Sequence, residues 1–312
     1  MADIVISPKD VAALRTKTGC GMMDCKKALV ESKGNFDEAI KYLREKGLSV
    51  AAKKADRIAA EGAVDIAFDA TGKKAAMIEI NCETDFVAKN ENFRAFSKQI
   101  LGIILEKNPA DVDALMKLPF PGSNGTIEDE LKETIYKFGE KLSIRRFLVV
   151  EGVLSSYIHG AGVTGVIIRF EADEKATSNP GFAEYAKNIA LQVAAMPVQY
   201  VNKADVPASV LDEEKNILMT QLKNDPANAK KPDAIIEKIV MGRLGKFYEN
   251  NCLVEQQYVK DDSVSVGKYT ENTAKEFGGS IKILNFFRYE KGEGLQKRED
   301  NFADEIAQLV KG

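Results

Sequence analysis

At 312 residues the chain is about twice the length one domain usually needs, so two or three folded units are expected. Apolar residues make up 45% and charged residues 29%, which excludes a disordered tail protein or a collagen-like rod. Forty-four basic against 47 acidic residues give a net charge of -3, too balanced for a non-specific nucleic-acid binder that relies on counterion release.

Residues 1–60 read as a helical module. Ser7-Pro8-Lys9-Asp10 supplies an N-cap hydroxyl, a proline at the first helical position and an acid in the first turn, and Val11 and Leu14 begin an apolar face. Thr18-Gly19-Cys20-Gly21 breaks that helix. Met22, Cys25 and Leu29 then mark a second helix, ended by Gly34-Asn35. Asn35 and Glu38 form a capping-box-like start to a third, with Phe36, Ala39, Ile40 and Leu43 as its buried stripe and Gly47 as its stop. Ser49 to Glu61 reads as a helical connector.

From residue 62 the apolar period changes to two. Val64, Ile66 and Phe68, the turn Asp69-Ala70-Thr71-Gly72, and Ala76, Ile78 and Ile80 predict a β-hairpin. A helix follows, with Phe93, Phe96, Ile100, Ile103 and Ile104 on one face. A similar unit recurs about 90 residues later. Glu151-Gly152 matches Glu61-Gly62, and Phe182, Tyr185, Lys187 and Ile189 match Phe93, Phe96, Lys98 and Ile100. The agreement suggests a duplicated hairpin-plus-helix subdomain, with coincidence the alternative. A polar loop, Pro119–Gly125, lies between the copies. Leu211, Leu218 and Leu222 line one helix, and Ile236, Ile239, Val240 and Phe247 a second, giving a helical hairpin over 207–249. A strand-like Leu253–Val259, a helix near Val266–Glu276, a strand Ile281–Tyr289 and a last helix Phe302–Val310 complete the expected order. The fold class is α+β.

Few residues carry catalytic signals. The cysteines, at 20, 25, 82 and 252, lack paired C-x-x-C spacing, and His159 is the sole histidine, so packed thiols without a metal or catalytic role are expected. Gly160-Ala161-Gly162-Val163-Thr164-Gly165 spells G-x-G-x-x-G, but a strand-like Val166–Phe170 follows it where the dinucleotide fingerprint needs a helix. Arg145-Arg146 reads as a solvated edge, and His159 as a turn residue beside Tyr157. The longest aliphatic run, Ile100–Leu105, is interrupted by Gly102 and far too short for a membrane span. No signal-peptide pattern opens the chain. A cytoplasmic protein with no cofactor, membrane contact or direct nucleic-acid contact is expected.

The segment Cys82-Glu83-Thr84-Asp85-Phe86-Val87-Ala88-Lys89 lies where the first hairpin ends and its helix begins, whereas the matching stretch of the second copy, Glu171–Lys175, is mostly polar. Two readings remain open. Thr84 or Asp85 caps the helix while Phe86 folds back as a hydrophobic contact. Alternatively, an acid and an aromatic are displayed together as an anchor for a partner.

Thr18-Gly19-Cys20-Gly21-Met22-Met23-Asp24-Cys25-Lys26-Lys27-Ala28-Leu29 closely resembles the N-terminal signature of the bacterial elongation factor Ts family, and Asn81–Ala88 resembles its second signature. Weaker echoes are Ile144-Arg145-Arg146, Tyr157-Ile158-His159-Gly160, Ala194–Pro197 and Gly242-Arg243 with Lys246-Phe247. Glu83 stands where glutamine is familiar, and Gln257 where proline often precedes Tyr258. The resemblance implies nucleotide exchange on the GTPase elongation factor Tu, without bond chemistry. It also implies a three-helix module resembling ubiquitin-associated domains over 1–55, core subdomains over 56–145 and 146–290, and a C-terminal module over 291–312. It assigns Thr84, Asp85, Phe86 and Val87 to displacing the partner's magnesium ion, and Leu14, Met22, Met23 and His159 to partner binding. A homodimer through the 207–249 hairpin is a further expectation. A scaffold that binds proteins through its three-helix module, without driving exchange, is the alternative.

Overall fold

The computed structural model describes residues 6–225 and 231–296. The expected last helix at 302–310 lies outside them, as does the connection at 226–230 inside the helical hairpin. The chain forms two compact units: residues up to Ala67 with Ala76–Val149 and from Glu290 onward, and Phe68–Ala75 with Val150–Tyr289. Helices and antiparallel hairpins share the chain, so the fold is α+β.

In the first unit, α1 (Pro8–Thr18), α2 (Met22–Glu31) and α3 (Phe36–Lys54) surround a small core of Val11, Leu14, Cys25, Ala28, Leu29, Ala39 and Leu43. Ser7 caps α1 in a reciprocal box with Asp10, and Asn35 caps α3 by accepting from the amides of Asp37 and Glu38. Met22 is largely exposed, and the buried face of α2 is Cys25, Ala28 and Leu29. One expectation needs correction here. Gly47 does not stop α3. The helix runs seven residues past it, because Gly47 packs against Tyr136, where an added Cβ would come within 3.4 Å of the tyrosine Cβ. Tertiary packing outweighs the cost of about 1 kcal/mol for an interior glycine. Arg44 Nε on Glu133 at 2.8 Å ties the same face down.

Strands β1 (Glu61–Phe68), β2 (Lys74–Cys82) and β3 (Leu142–Glu151) form a sheet in the order β1-β2-β3. After β2 come the single turn α4 (Asp85–Ala88) and the long α5 (Glu91–Lys107), whose Phe93, Phe96, Ile100, Ile103 and Ile104 pack on Ala76, Ile78 and Ile80 of the sheet. The expected elements omit α6 (Val112–Met116) and α7 (Ile127–Phe138). Yet Ile127, Leu131 and Ile135 stand at helical spacing, and Thr126 with Asp129 forms a capping box. The polar loop before α7 is anchored by Phe120, buried and stacked on Phe96 at 6.1 Å.

The expected in–out alternation fails on β2, which is buried on both faces. Its second face carries Glu79, fully buried and charged. Arg145 Nη1 reaches Glu79 Oε1 at 3.0 Å and Arg146 Nε reaches Oε2 at 2.6 Å, while the Gly292 amide donates at 2.8 Å and Asn81 Nδ2 at 3.1 Å. The two arginines are therefore ion-pair partners of a buried carboxylate, which corrects the reading of a solvated edge. Gly292 has φ 69, and a Cβ there would lie 2.2 Å from the Ala60 carbonyl oxygen, so only glycine brings its amide this close. The clasp fastens residues 290–293 onto the sheet, with Arg146 also pairing with Glu293 at 3.0 Å.

The second unit repeats the same order of elements. β4 (Val153–His159) and β5 (Thr164–Ala172) pair antiparallel, with Val153 opposite Phe170 and His159 opposite Thr164. A single turn α8 (Glu174–Thr177) and the long α9 (Phe182–Ala195) follow. Gly62, the second residue of β1, and Gly152, just before β4, share a positive φ, at 130 and 136. Phe182, Tyr185, Ile189 and Val193 pack on Val166, Ile168 and Phe170. Helices α10 (Ala208–Asn224) and α11 (Asp233–Asn251) pack together through Leu218, Leu222, Ile236, Val240 and Leu244. The expected strand at 253–259 is mostly a tight turn. The amides of Glu255 and Gln256 bond back to Cys252 and Leu253, leaving only β6 (Gln257–Tyr258) to pair with β7 (Asp261–Ser265). Helix α12 (Val266–Glu276) and β8 (Ile281–Glu290) then complete the unit, β8 lying beside β5.

Burial by itself would raise the pKa of Glu79, but the Gly292 amide, Arg146, Asn81 and Arg145 outweigh it and hold the carboxyl below its usual range. A depressed folded-state pKa stabilises above the unfolded value of about 4.3, and that stability is lost as pH falls through the folded value. Glu79→Ala is expected to lower stability by roughly 3 kcal/mol in denaturant melts at pH 7, since it strands two partly solvated guanidinium groups. The difference from wild type should shrink as the pH falls below about 4.

Candidate functional site

The junction between β2 and α5 is built from buried and exposed residues at one-turn spacing. Cys82 closes the strand, fully buried, with its thiol donating to the Thr84 carbonyl at 3.0 Å. Burial, reinforced by the carboxylates of Glu140 and Glu61, pushes this thiol up to about 12, so it stays protonated and serves packing. Thr84 is the N-cap of α4, in extended backbone (φ -127, ψ 155), and its hydroxyl accepts from the Val87 amide at 3.4 Å. Val87 and Ala88 turn inward to the core beside Phe93.

Asp85 and Phe86 face outward on the same turn. Phe86 is 82% exposed, and no large apolar side chain among the described residues is more so. The reading in which it folds back as a local hydrophobic contact is therefore excluded, while the reading of Thr84 as the cap holds. Leaving a phenylalanine in water forgoes about 1.5–3 kcal/mol of burial. Asp85 pairs with Lys89 one turn on at 2.5 Å, and this hydrogen bond holds its carboxyl below the usual range.

The second unit shows that such a turn does not need an aromatic. Asp173 caps α8 by accepting from the Ala176 amide at 2.9 Å, and Ala176 is buried where Val87 is. Glu174 and Lys175 stand where Asp85 and Phe86 do in the first copy. The local fold is the same, so the aromatic is an addition to it.

Two contacts at this junction escape sequence reasoning. Glu140, after the end of α7, receives both the Thr84 amide (3.0 Å) and the Thr84 hydroxyl (2.6 Å). Glu83 in turn accepts from the Lys141 amide at 2.6 Å and pairs with Arg57 at 3.2 Å. Partners 56 and 58 positions apart leave no periodic signal.

The other expected site residues divide. Met22 and Met23, at the start of α2, are 55% and 73% exposed. Leu14 is fully buried in the three-helix core. Val87 likewise faces inward, so its part in the turn is to anchor it. His159 is exposed at the end of β4, with Nδ1 3.4 Å from the Tyr157 hydroxyl and the exposed Ile158 and Val163 nearby in sequence. It belongs to the second unit, whereas Thr84–Val87, Met22 and Met23 belong to the first. Gly160, Ala161 and Gly162 all have positive φ and make the β4–β5 turn, which leads into a strand. Among the described residues, no group of three or more acidic, cysteine or histidine side chains is arranged to hold a metal ion, and no helix is long and apolar enough to cross a membrane.

The first of two hairpin-plus-helix units thus displays an acid and an aromatic on a capped turn. Residues 83–293 match the family model described as elongation factor TS. The chain is 43% identical to elongation factor Ts of Syntrophotalea carbinolica over 98% of this chain and 99% of that one. It is 44% identical to the Symbiobacterium thermophilum protein over 96% and 97%. With the Clostridium kluyveri protein it shares 42% identity over 99% and 100%. The chain belongs to the elongation factor Ts family, whose members act in translation elongation as nucleotide-exchange factors and not as catalysts of bond chemistry.

Because Phe86 is largely exposed already and gives up little burial on unfolding, Phe86→Ala should change thermal stability by no more than about 0.5 kcal/mol in calorimetry. All four cysteines are buried, so Ellman's reagent should label the native protein slowly and release the full thiol count only in denaturant.

Proposed function

We propose that this protein binds elongation factor Tu in its GDP form and promotes exchange of GDP for GTP by displacing the magnesium ion and distorting the nucleotide site. The observation that carries this is Phe86, an exposed ring on a turn whose own fold does not require it. In this reading the ring wedges between elements of the GTPase beside its metal, and Asp85 holds neighbouring groups. Thr84 and Val87 keep the turn in place. Met22 and Met23, on a three-helix module of ubiquitin-associated type over residues 1–55, dock on the GTP-binding domain, and residues around His159 add contacts from the second of two duplicated core subdomains. The 207–249 hairpin provides a surface for the GTPase or for a second copy of the chain. The protein works in the cytoplasm, where translation takes place.

Magnitudes constrain the mechanism. Burying one phenylalanine supplies about 1.5–3 kcal/mol, whereas moving a two-state equilibrium from 1:99 to 99:1 takes about 5.5 kcal/mol. The ring alone is insufficient, so the dispersed docking surfaces must contribute the binding energy that holds a strained GTPase. The coupling is reciprocal: a factor that weakens GDP binding is itself weakened by GDP to the same extent.

Stopped-flow release of a fluorescent GDP from elongation factor Tu tests the proposal. Saturating protein should accelerate release, and Phe86→Ala should slow the accelerated rate by about ten- to a hundredfold, the worth of one buried ring. Release that stays at its intrinsic rate with the wild-type protein would contradict it.

A further inference from the structure

We propose that Glu140 is a positioning residue for exchange, holding the Phe86 turn in its displayed orientation; this deepens the function proposed above and rests on it. A four-residue helix has no stability of its own, since nucleating a turn fixes several residues for a single hydrogen bond. Its orientation must therefore come from outside: burial of Val87 and Ala88 supplies one part, and the polar contacts on the Thr84 cap supply the other. The Glu140 carboxylate takes the Thr84 amide on one oxygen (3.0 Å) and the Thr84 hydroxyl on the other (2.6 Å). A threonine hydroxyl has one proton and two lone pairs. Directing that proton at Glu140 leaves a lone pair for the Val87 amide, which closes the turn. The two bonds to the carboxylate are charge-assisted, shorter and stronger than neutral ones.

The reverse contact completes a cross-clamp. Glu83, next to Thr84, accepts from the amide of Lys141, next to Glu140, and Arg57 neutralises the Glu83 carboxylate. Lys141 Nζ donates to the Arg57 carbonyl at 2.8 Å, and Lys54 Nζ to the Gly139 carbonyl at 2.5 Å. Three chain segments, at 54–57, 83–84 and 139–141, are thus fastened together behind the exposed ring. The corresponding turn of the second copy is held by one aspartate: Asp173 caps α8 and also receives the Ser280 amide and hydroxyl. The turn that carries the aromatic has its cap and its clamp on separate residues.

The test compares wild type, Glu140→Ala, Glu140→Gln, Phe86→Ala and the Glu140→Ala/Phe86→Ala pair, by GDP release from the GTPase at saturating factor and by hydrogen exchange of the free proteins. Glu140→Ala should slow release by about tenfold, the effect of losing one charge-assisted bond's worth of orientation. Glutamine, whose oxygen accepts the Thr84 amide and whose amide group donates to the hydroxyl, should restore most of the rate. If Glu140 acts through the ring, adding Glu140→Ala to Phe86→Ala should slow release by less than about twofold, because coupled residues are non-additive. Amides of Val87–Lys89 should exchange faster in Glu140→Ala than in wild type while the α5 amides keep their protection, a pattern that global destabilisation would not produce. Unchanged exchange at Val87–Lys89, or additive slowing in the pair, overturns the positioning role alone. A wild-type protein that leaves GDP release unaffected overturns the function beneath it, and the positioning role falls with it.

Discussion

A capped turn after β2, with Thr84 at its start and Val87 and Ala88 buried beneath it, decides which way a phenylalanine points. With the Thr84 hydroxyl engaged by the Val87 amide, the next two residues face solvent and the two after them face the core. Exposing a large ring costs burial energy that the fold could otherwise use, and the protein nevertheless braces the ring in that position. Buried aromatic anchors dominate interface energies, and a ring pre-organised before binding loses less entropy when it is inserted. The architecture of the first unit serves that display: β2 delivers the turn, and α5 buries Val87 and Ala88 beneath it.

The rigidity of β2 is secured by a less economical device. Burying the Glu79 carboxylate is unfavourable in isolation, and a buried ion pair stabilises little compared with apolar packing. What it supplies is a unique arrangement, because two arginines, an asparagine and one glycine amide satisfy the carboxylate together. The segment after β8 is fixed to the sheet by the same group. A strand buried on both faces and clasped in this way is a fixed base from which to present a rigid turn.

Much of this was legible in the residues. Period two at Ala76–Ile80 and a helical face at Phe93–Ile104 located the hairpin and α5, and the Ser7 and Asn35 caps located two helix starts. Gly47 misled, because a glycine signals a helix end only when no neighbour packs against it. Arg145-Arg146 looked like a solvated edge, since nothing local reveals that the partner carboxylate lies 66 and 67 residues earlier. The same distance problem hid Glu140 from Thr84. At the site, the sequence placed the acid and the ring on one turn but left their direction open. Direction depended on burial of Val87 and Ala88, which is a tertiary property. Leu14 shows the converse: the family resemblance suggested contact, and its environment makes it core.

The central claim is that the Phe86 ring leaves water when the partner binds. The chain contains no tryptophan, so Phe86→Trp, made with 5-hydroxytryptophan, places a reporter at that position that can be excited apart from the partner's own indoles. Addition of nucleotide-free elongation factor Tu should shift its emission to shorter wavelength and shield it from acrylamide quenching. Emission and quenching that stay at their free-protein values in the assembled complex would contradict the account.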